Sequence, residues 1–589
     1  MPSNREAWLS LPEDARAAAI AEAEKDIGKP WPSLPATVFI EYKRIGNRSN
    51  YEAIRNQRRN RLSHMVLAEC IENKGRFLED IFNGIWLTCE ETYWGLPAHL
   101  NLQKAGHGLP DVAEPSVDLF AAETSAQLAW ADYLLAPQLA KISPMLRPRI
   151  HAEIRRRVLE PCMARTDWGW MGFRGGPVNN WNPWINSNWL TSVLLIESDE
   201  PRRAQAVHKI LTSVDRFLDA YHPDGGCDEG PGYWGRAGAS LFDNLELLHS
   251  ASNGAIDFFA MPLVQEIGRY IYRAHIQDDY YVNFADASAR LRPAAALIHR
   301  YGTRIKDRAM QEHAAFVESA KSDGRRGSDS LGRDVAAMFT LKDLRATTAR
   351  APLVRDAWMP GIQVMCARQT GGASRGFYFA AQGGHNAESH NHNDVGNFIV
   401  FLDGRPVLID VGVETYSAKT FSSKRYEIWT MQSAYHNCPT VNGVMQAAGR
   451  QFAAKDVASH SSDRESTFTL DIAGAYPKEA SLAKWHRTLR LNRTKNEIEV
   501  IDVYRVTTAQ AAIDMTLMTL AEPRIEGGNR VRIGPAVVEF DERLKPQVEP
   551  IQITDGRLRG SWGDRVYRVL VKGAQLPAES TLRMRLIAT

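Results

Sequence analysis

The sequence predicts a multidomain α+β protein: an α/α array over residues 1–355, then an antiparallel β-sandwich over residues 356–589. Three observations predict it. The hydrophobic period is helical through the first part and changes near residue 355 to short alternating or fully apolar runs. The helical segments are separated by Pro, Gly, Asn and Asp breaks, and the later runs by turn signals. With 589 residues, the chain is also too long for one typical domain.

Glu13 to Ile27 repeats Ala, Glu and Lys at helical spacing, and Arg61 to Ile71 places apolar residues at i, i+3 and i+4. Leu119 to Leu135, Arg149 to Met163, Ala204 to Tyr221, Leu241 to Ala251 and Met261 to His275 continue the series. Such helices bury a one-sided core by stacking hairpins, as a solenoid or closed into a toroid. Residues 321 to 335, rich in Ser, Gly, Asp and Arg, read as an exposed loop. The strand-like runs are Ile362 to Ala367, Gly376 to Ala381, Phe398 to Leu402, Val407 to Val411, Thr467 to Ile472, Ile498 to Tyr504, Val531 to Phe540, Val566 to Lys572 and Thr581 to Ile587. Leu402-Asp403-Gly404-Arg405 is a hairpin signal, and Gly527 to Asn529 and Asp555-Gly556 are further turns.

Lys+Arg 71 against Asp+Glu 69 leaves a net charge of +2, so nothing argues for a nucleic-acid or membrane-surface protein. Trp 15 and Tyr 18 are generous counts, and aromatic faces suit sugar rings as well as a large core. The six cysteines are scattered with no Cys-x-x-Cys pair, which argues against a disulfide framework or a zinc ribbon. Met1 to Trp8 has no apolar signal region, so the expectation is cytoplasmic as the sequence stands, and periplasmic or secreted if it is trimmed. The sequence does not give an oligomeric state.

The chemistry concentrates in His390-Asn391-His392-Asn393-Asp394. Two histidines one residue apart point to one face of a strand or extended loop, and imidazole suits zinc and similar metals. Asp410 ends the apolar run Val407-Leu408-Ile409, an odd place for a charge unless something pairs with it. His436 follows in Ser433-Ala434-Tyr435-His436-Asn437. Two histidines and a carboxylate on separate segments of a β-rich region can assemble a three-ligand metal site.

The helical part carries three polar-aromatic blocks. Asn179 to Trp189 holds five amides and three indoles, and Pro183 fits a first helical turn. So much buried amide needs partners, which favours a role in binding carboxylate or hydroxyl oxygens. Asp228 to Arg236 is a glycine-rich break that presents Tyr233 beside Arg236, a neighbour expected to lower the phenol's pKa. Glu91 to His99 reads as a groove wall.

Together these blocks resemble a heparinase II/III-type polysaccharide lyase, most strongly at Asn179–Trp189, Asp228–Arg236 and Glu388–His436. The resemblance implies an incomplete N-terminal α/α toroid followed by antiparallel β-sheets. It implies cleavage of a uronate polysaccharide by β-elimination. Asn180 would meet the substrate carboxylate, Tyr233 would transfer protons, and His390 would stand in the catalytic cleft. His392, Asp410 and His436 would hold one divalent metal, zinc or alternatively manganese. Trp181, Trp184, Arg236, Tyr93, His99, Glu388 and Tyr416 are the candidate substrate contacts. The partner is an anionic polysaccharide such as hyaluronan, chondroitin sulfate, heparan sulfate or alginate. One departure matters: many relatives carry Asn-His where this chain has Asn180-Trp181, which shifts proton transfer onto Tyr233 and His390. Three alternatives stay open: a metal-dependent hydrolase, a two-carboxylate glycoside hydrolase, and a glycan-binding protein without catalysis.

Overall fold

The computed structural model describes residues 3–320 and 330–589. The first part is helical. Leu119–Ile142 packs on Trp181–Ile196, that helix on Gly238–Ala251, that on Ala295–Arg304, and that on Leu331–Ala346, which returns to Leu119–Ile142. Ser49–Glu72, Glu200–Ala220 and Arg308–Ser319 pack against members of this ring. Side chains that meet inside the ring lie on one helical face, such as Glu123, Gln127 and Trp130, or Trp184, Asn188 and Thr191, and they enclose a cavity of 320 Å³. The exposed-loop expectation for residues 321–335 falls partly on 321–329, which lie outside the described residues. From Ser330 onward it is corrected: that hydroxyl accepts from Arg333 N and starts the helix Leu331–Ala346.

The sheets are antiparallel. Asp356–Met359, Val364–Arg368, Phe377–Gln382, Phe398–Leu402 and Arg405–Leu408 form a five-stranded sheet in chain order. Its fully apolar runs have a physical reason: both faces are covered. Cys366, Tyr378, Ala380, Ile399 and Phe401 belong to the core shared with the helices. Alternate residues Met365, Ala367, Phe377, Phe379, Phe398 and Val400 belong to the core shared with a larger sheet. The turn from Leu402 to Arg405 holds Asp403 and Gly404 at φ 49° and 75°, the left-handed pair that a two-residue hairpin requires.

The larger sheet runs Lys455–Ser461, Glu465–Asp471, Leu482–Asn492, Glu497–Thr519, Arg565–Ala588, Ala536–Phe540, Arg530–Ile533, Arg524–Gly527. Two expectations are corrected here. Val531 to Phe540 is a hairpin broken after Ile533, with Gly534 at positive φ, rather than one strand. Asp555-Gly556 is no turn: Asp555 caps the helix Gly556–Trp562 by accepting from Arg557 N and Leu558 N. Beneath the sheet, fully buried Arg487 pairs with Asp502 and also donates to Gly396 O and Asn437 O, both at 3.0 Å.

At the junction of the two parts, His275 and His313 are buried with ring centroids 4.9 Å apart, and each leaves Nδ1 without a hydrogen-bond partner. Burial pushes the His275 imidazole down to about 4 and His313 well below its ordinary 6.5. The unfolded chain therefore takes up protons that the folded chain refuses. The stabilisation from keeping these rings neutral is complete above about pH 6.5 and falls as pH drops toward about 4, by about 1.4 kcal/mol per pH unit and ring. We expect the unfolding midpoint to fall steeply between pH 6.5 and 4.5, and His313→Gln to flatten that slope; equal slopes in a thermal scan would refute the assignment. No helix among the described residues is long and apolar enough to cross a membrane.

Candidate active site and metal centre

Asn180 is buried at the start of the helix Trp181–Ile196 and donates its amide to Glu229 Oε2. Glu229 is buried, and its other oxygen accepts from Ser389 Oγ at 3.0 Å. Burial raises the Glu229 carboxyl above its ordinary value, with His390 opposing. Gly230 sits at φ 85°, where an added Cβ would lie 2.7 Å from Ala287, so only glycine lets this loop approach the 283–288 segment. One turn on, the half-buried Tyr233 ring stacks on His390, centroids 4.5 Å apart, and its hydroxyl lies 2.5 Å from Tyr416 Oη.

His390 and His392 do not simply share a face of an extended segment, as expected from their spacing. His390 is in the left-handed region, φ 57°, so the chain turns there rather than running extended. Both nevertheless reach one carboxylate. Asp286, fully buried, accepts from His390 Nδ1 (2.8 Å) and Tyr416 Oη (2.9 Å) on Oδ2, and from His392 Nε2 (3.0 Å) and Arg425 (2.8 Å) on Oδ1. Burial alone would raise its pKa; the bonds from the two histidines and the Arg425 charge hold it far below the usual carboxylate range. Against the opposing effect of burial, Asp286 and Glu229 raise the His390 imidazole. Its Nε2 faces Glu229 Oε2 at 3.7 Å.

His392, Asp410 and His436 are all buried, and one ligand atom from each lies within 4.8 Å of the others. His436 Nδ1 is 3.2 Å from Asp410 Oδ2, while its Nε2 donates to Thr430 O at 2.9 Å. Asn397 Nδ2 and Gly412 N each donate to Asp410 at 2.7 Å. His392 Nδ1 has no hydrogen-bond partner, an orphaned buried nitrogen beside two other donors. Burial opposes protonation of His436, yet Asp410 and Asp394 outweigh it and push the imidazole up to about 9.

Several expectations are corrected. The amides of Asn182 and Asn186 serve structure: Asn182 donates to Trp170 O and Ser213 O, and Asn186 to Ser213 Oγ, all at 2.9 Å. Of the buried amides in that block, Asn180 is the one tied to Glu229. Arg236 does not lower the Tyr233 phenol. Its guanidinium lies over Trp184, 4.1 Å from the ring, and pairs with Glu123, which also accepts from Trp184 Nε1. Burial, reinforced by Asp286 and Glu229, raises Tyr233 well above 10, despite the bond to Tyr416. Tyr93 packs against Phe39 in a separate small core and bonds Ser116, and Glu91 pairs with Arg58 and Arg59, so neither forms a groove wall. His99 is held by Asp118 at 2.7 Å and tilts against half-buried Trp181 at 4.7 Å. Glu388 lines a small cavity with Asp228, His385 and His392, and burial and Asp228 raise it to about 7. Sequence reasoning missed Asp286, Arg425 and the contact of Glu229 with Asn180. A lone acid in the run Val282-Asn283-Phe284-Ala285-Asp286-Ala287 carries the same signal that singled out Asp410.

Residues 367–556 match the family model described as heparinase II/III-like, C-terminal. That stretch holds His390, His392, Asp410 and His436, and the resemblance to a heparinase II/III-like lyase is borne out. A solved structure of heparinase III is 12% identical with a TM-score of 0.67, over 99% of this chain and 86% of that one. Heparan sulfate lyase HepC from Pedobacter heparinus is 13% identical with a TM-score of 0.60, over 98% of this chain and 83% of that one. The mixed architecture of helices followed by antiparallel sheets is therefore that of heparinase III. None of the curated proteins compared with the sequence matches it.

Proposed function

We propose that this protein is a polysaccharide lyase that breaks uronate-containing glycosaminoglycans by β-elimination. The observation that carries the reading is the meeting of Asn180, Tyr233 and His390 around Glu229, where the helical part joins the sheet part and a substrate cleft would lie. We read the helical part as an incomplete α/α toroid and the sheets as a β-sandwich, supported by the closed order of helix packing and the two-sided burial of the five-stranded sheet. Residues 1–355 and 356–589 are then its two domains.

Elimination needs a neutralised carboxylate, a base for the C5 proton and an acid for the leaving O4. Asn180, whose amide donates to Glu229 here, is the group that would stabilise charge developing on the uronate carboxylate. His390, with Asp286 bound to Nδ1, takes the C5 proton on Nε2. The C–H pair becomes the C4–C5 double bond as the C4–O4 bond breaks. Tyr233, which its environment keeps protonated, gives its proton to O4 and afterwards regains one from solvent or His390. Trp181 and Tyr416 are half-buried and stand as substrate contacts.

We assign a divalent metal, zinc first and manganese second, to His392, Asp410 and His436. The residues fit it: each imidazole has Nε2 held by an oxygen acceptor, which leaves both Nδ1 atoms for the ion. When bound, the ion supplies a fixed positive charge that locks three segments together. Burial of all three ligands favours this structural role over water activation, as a metal hydrolase would require. Stripping the metal with a chelator should lower the unfolding midpoint, and added zinc should restore it. Loss of activity with folding and substrate binding intact would instead favour a catalytic metal.

The deciding assay follows ultraviolet absorbance on heparan sulfate, hyaluronan, chondroitin sulfate and alginate, since elimination creates a conjugated double bond and hydrolysis does not. Rising absorbance establishes a lyase and names its substrate. New reducing ends without absorbance would sink the reading in favour of a hydrolase.

A further inference from the structure

We infer that Asp286 is a positioning residue that holds His390 and His392 in opposite tautomers, aiming one ring into the cleft and the other at the metal centre. The cleft half of this inference rests on the lyase reading; the metal-centre half does not.

The geometry is specific. An ionised carboxylate only accepts hydrogen bonds, so each nitrogen facing Asp286 must carry its proton. For His390 that nitrogen is Nδ1, so in the neutral ring that acts as a base Nε2 is bare toward Glu229 and Asn180. For His392 it is Nε2, which leaves Nδ1 bare toward Asp410 and His436, and that nitrogen is the one without a partner. The same oxygen that holds His390 also receives the Tyr416 proton, so Tyr416 Oη is left as acceptor for Tyr233.

The carboxylate is placed with care. It comes from the helical part, while its four donors come from residues 390 to 425 of the sheet part. Its own loop is pinned at three points. Arg557 donates to Asp286 O at 2.7 Å, Asn283 Nδ2 donates to Asp410 O at 2.9 Å, and Ala285 holds a left-handed φ of 57°. A non-glycine residue pays for such a conformation only where its surroundings enforce it. A carboxylate that merely joined the two parts by an ion pair would need Arg425 and neither ring.

The test is Asp286→Asn, compared with the unaltered full-length protein. Zinc affinity is read by competition with a chelator, and kcat and KM by absorbance on the substrate that the panel identifies. The amide is isosteric but cannot accept from all four donors. We expect zinc binding about 10–100-fold weaker, as for other outer partners of metal-bound histidines. We expect kcat about 10³-fold lower with KM changed less than threefold, as when a histidine base loses its orienting carboxylate. Zinc affinity and kcat both within threefold of the original overturn the inference, and so does a loss of one without the other. A second measurement needs no variant: long-range proton–nitrogen spectra of the zinc-loaded protein labelled with ¹⁵N-histidine. They should show His390 protonated at Nδ1 and His392 at Nε2, and the other tautomer at either ring overturns the inference even if Asp286→Asn fails to fold. If no uronate substrate is cleaved, the lyase reading fails, while zinc affinity and the tautomers still judge Asp286.

Discussion

Tyr233→Phe should lower kcat about 10³-fold while leaving the unfolding midpoint within a degree or two. Loss of a positioned proton donor typically costs 10²–10⁴-fold. The substitution removes one oxygen and keeps the ring that stacks on His390, so packing survives. It also strands no partner, because Tyr416 keeps its bond to Asp286. A structural tyrosine would behave in the opposite way, with activity intact and stability reduced by about 1 kcal/mol for a lost hydrogen bond. Steady-state kinetics and a thermal scan on one preparation separate the two. Activity within tenfold of the original would remove Tyr233 from the mechanism.

Arg487→Ala should be the most destabilising single change considered, by about 3–5 kcal/mol. Its guanidinium is fully buried and paired with Asp502, which is nearly so. Removing the arginine strands that carboxylate in the interior. It also releases Gly396 O and Asn437 O, which adjoin Asn397, a hydrogen-bond donor to Asp410, and the metal-ligand position His436. The loss should therefore show as a lower unfolding midpoint and as weaker zinc binding. Arg487→Ala with Asp502→Ala should recover part of the stability, since the uncompensated charge goes with the pair. A midpoint within two degrees of the original for Arg487→Ala would show that water reaches Asp502.

Much of this was legible in the sequence because the signals are local. The runs Phe377 to Ala381 and Phe398 to Leu402 read as strands, and two-sided burial explains why they are apolar throughout. Leu402-Asp403-Gly404-Arg405 turns as its residues require. His392, Asp410 and His436 do converge, because acids and imidazoles that interrupt apolar segments must find one another. What escaped depends on distant parts of the chain. Whether Arg236 faces Tyr233 or Trp184 is decided by Glu123, 113 positions away. The amides of Asn182 and Asn186 find Ser213 on the next helix, so their density marked a buried polar network rather than a binding surface. Asp286 lies 104 positions from His390, and nothing at that range is visible in spacing. Asp555-Gly556 shows the limit of turn signals, since the same dipeptide begins a helix when the Asp side chain caps it.

The burial of the five-stranded sheet on both faces also bears on how the chain is made. The helical ring leaves the ribosome with the apolar face that this sheet covers still open. When the five strands arrive they shield it, but their outer face then waits for residues 468–586. The larger sheet cannot supply that cover early. Arg565–Ala588, synthesised after the other strands of this sheet, lies in its interior between Glu497–Thr519 and Ala536–Phe540. Translation thus carries a persistent sticky surface until Arg565–Ala588 slots into the middle, and a chain lacking that strand would leave the earlier strands without the centre of their sheet.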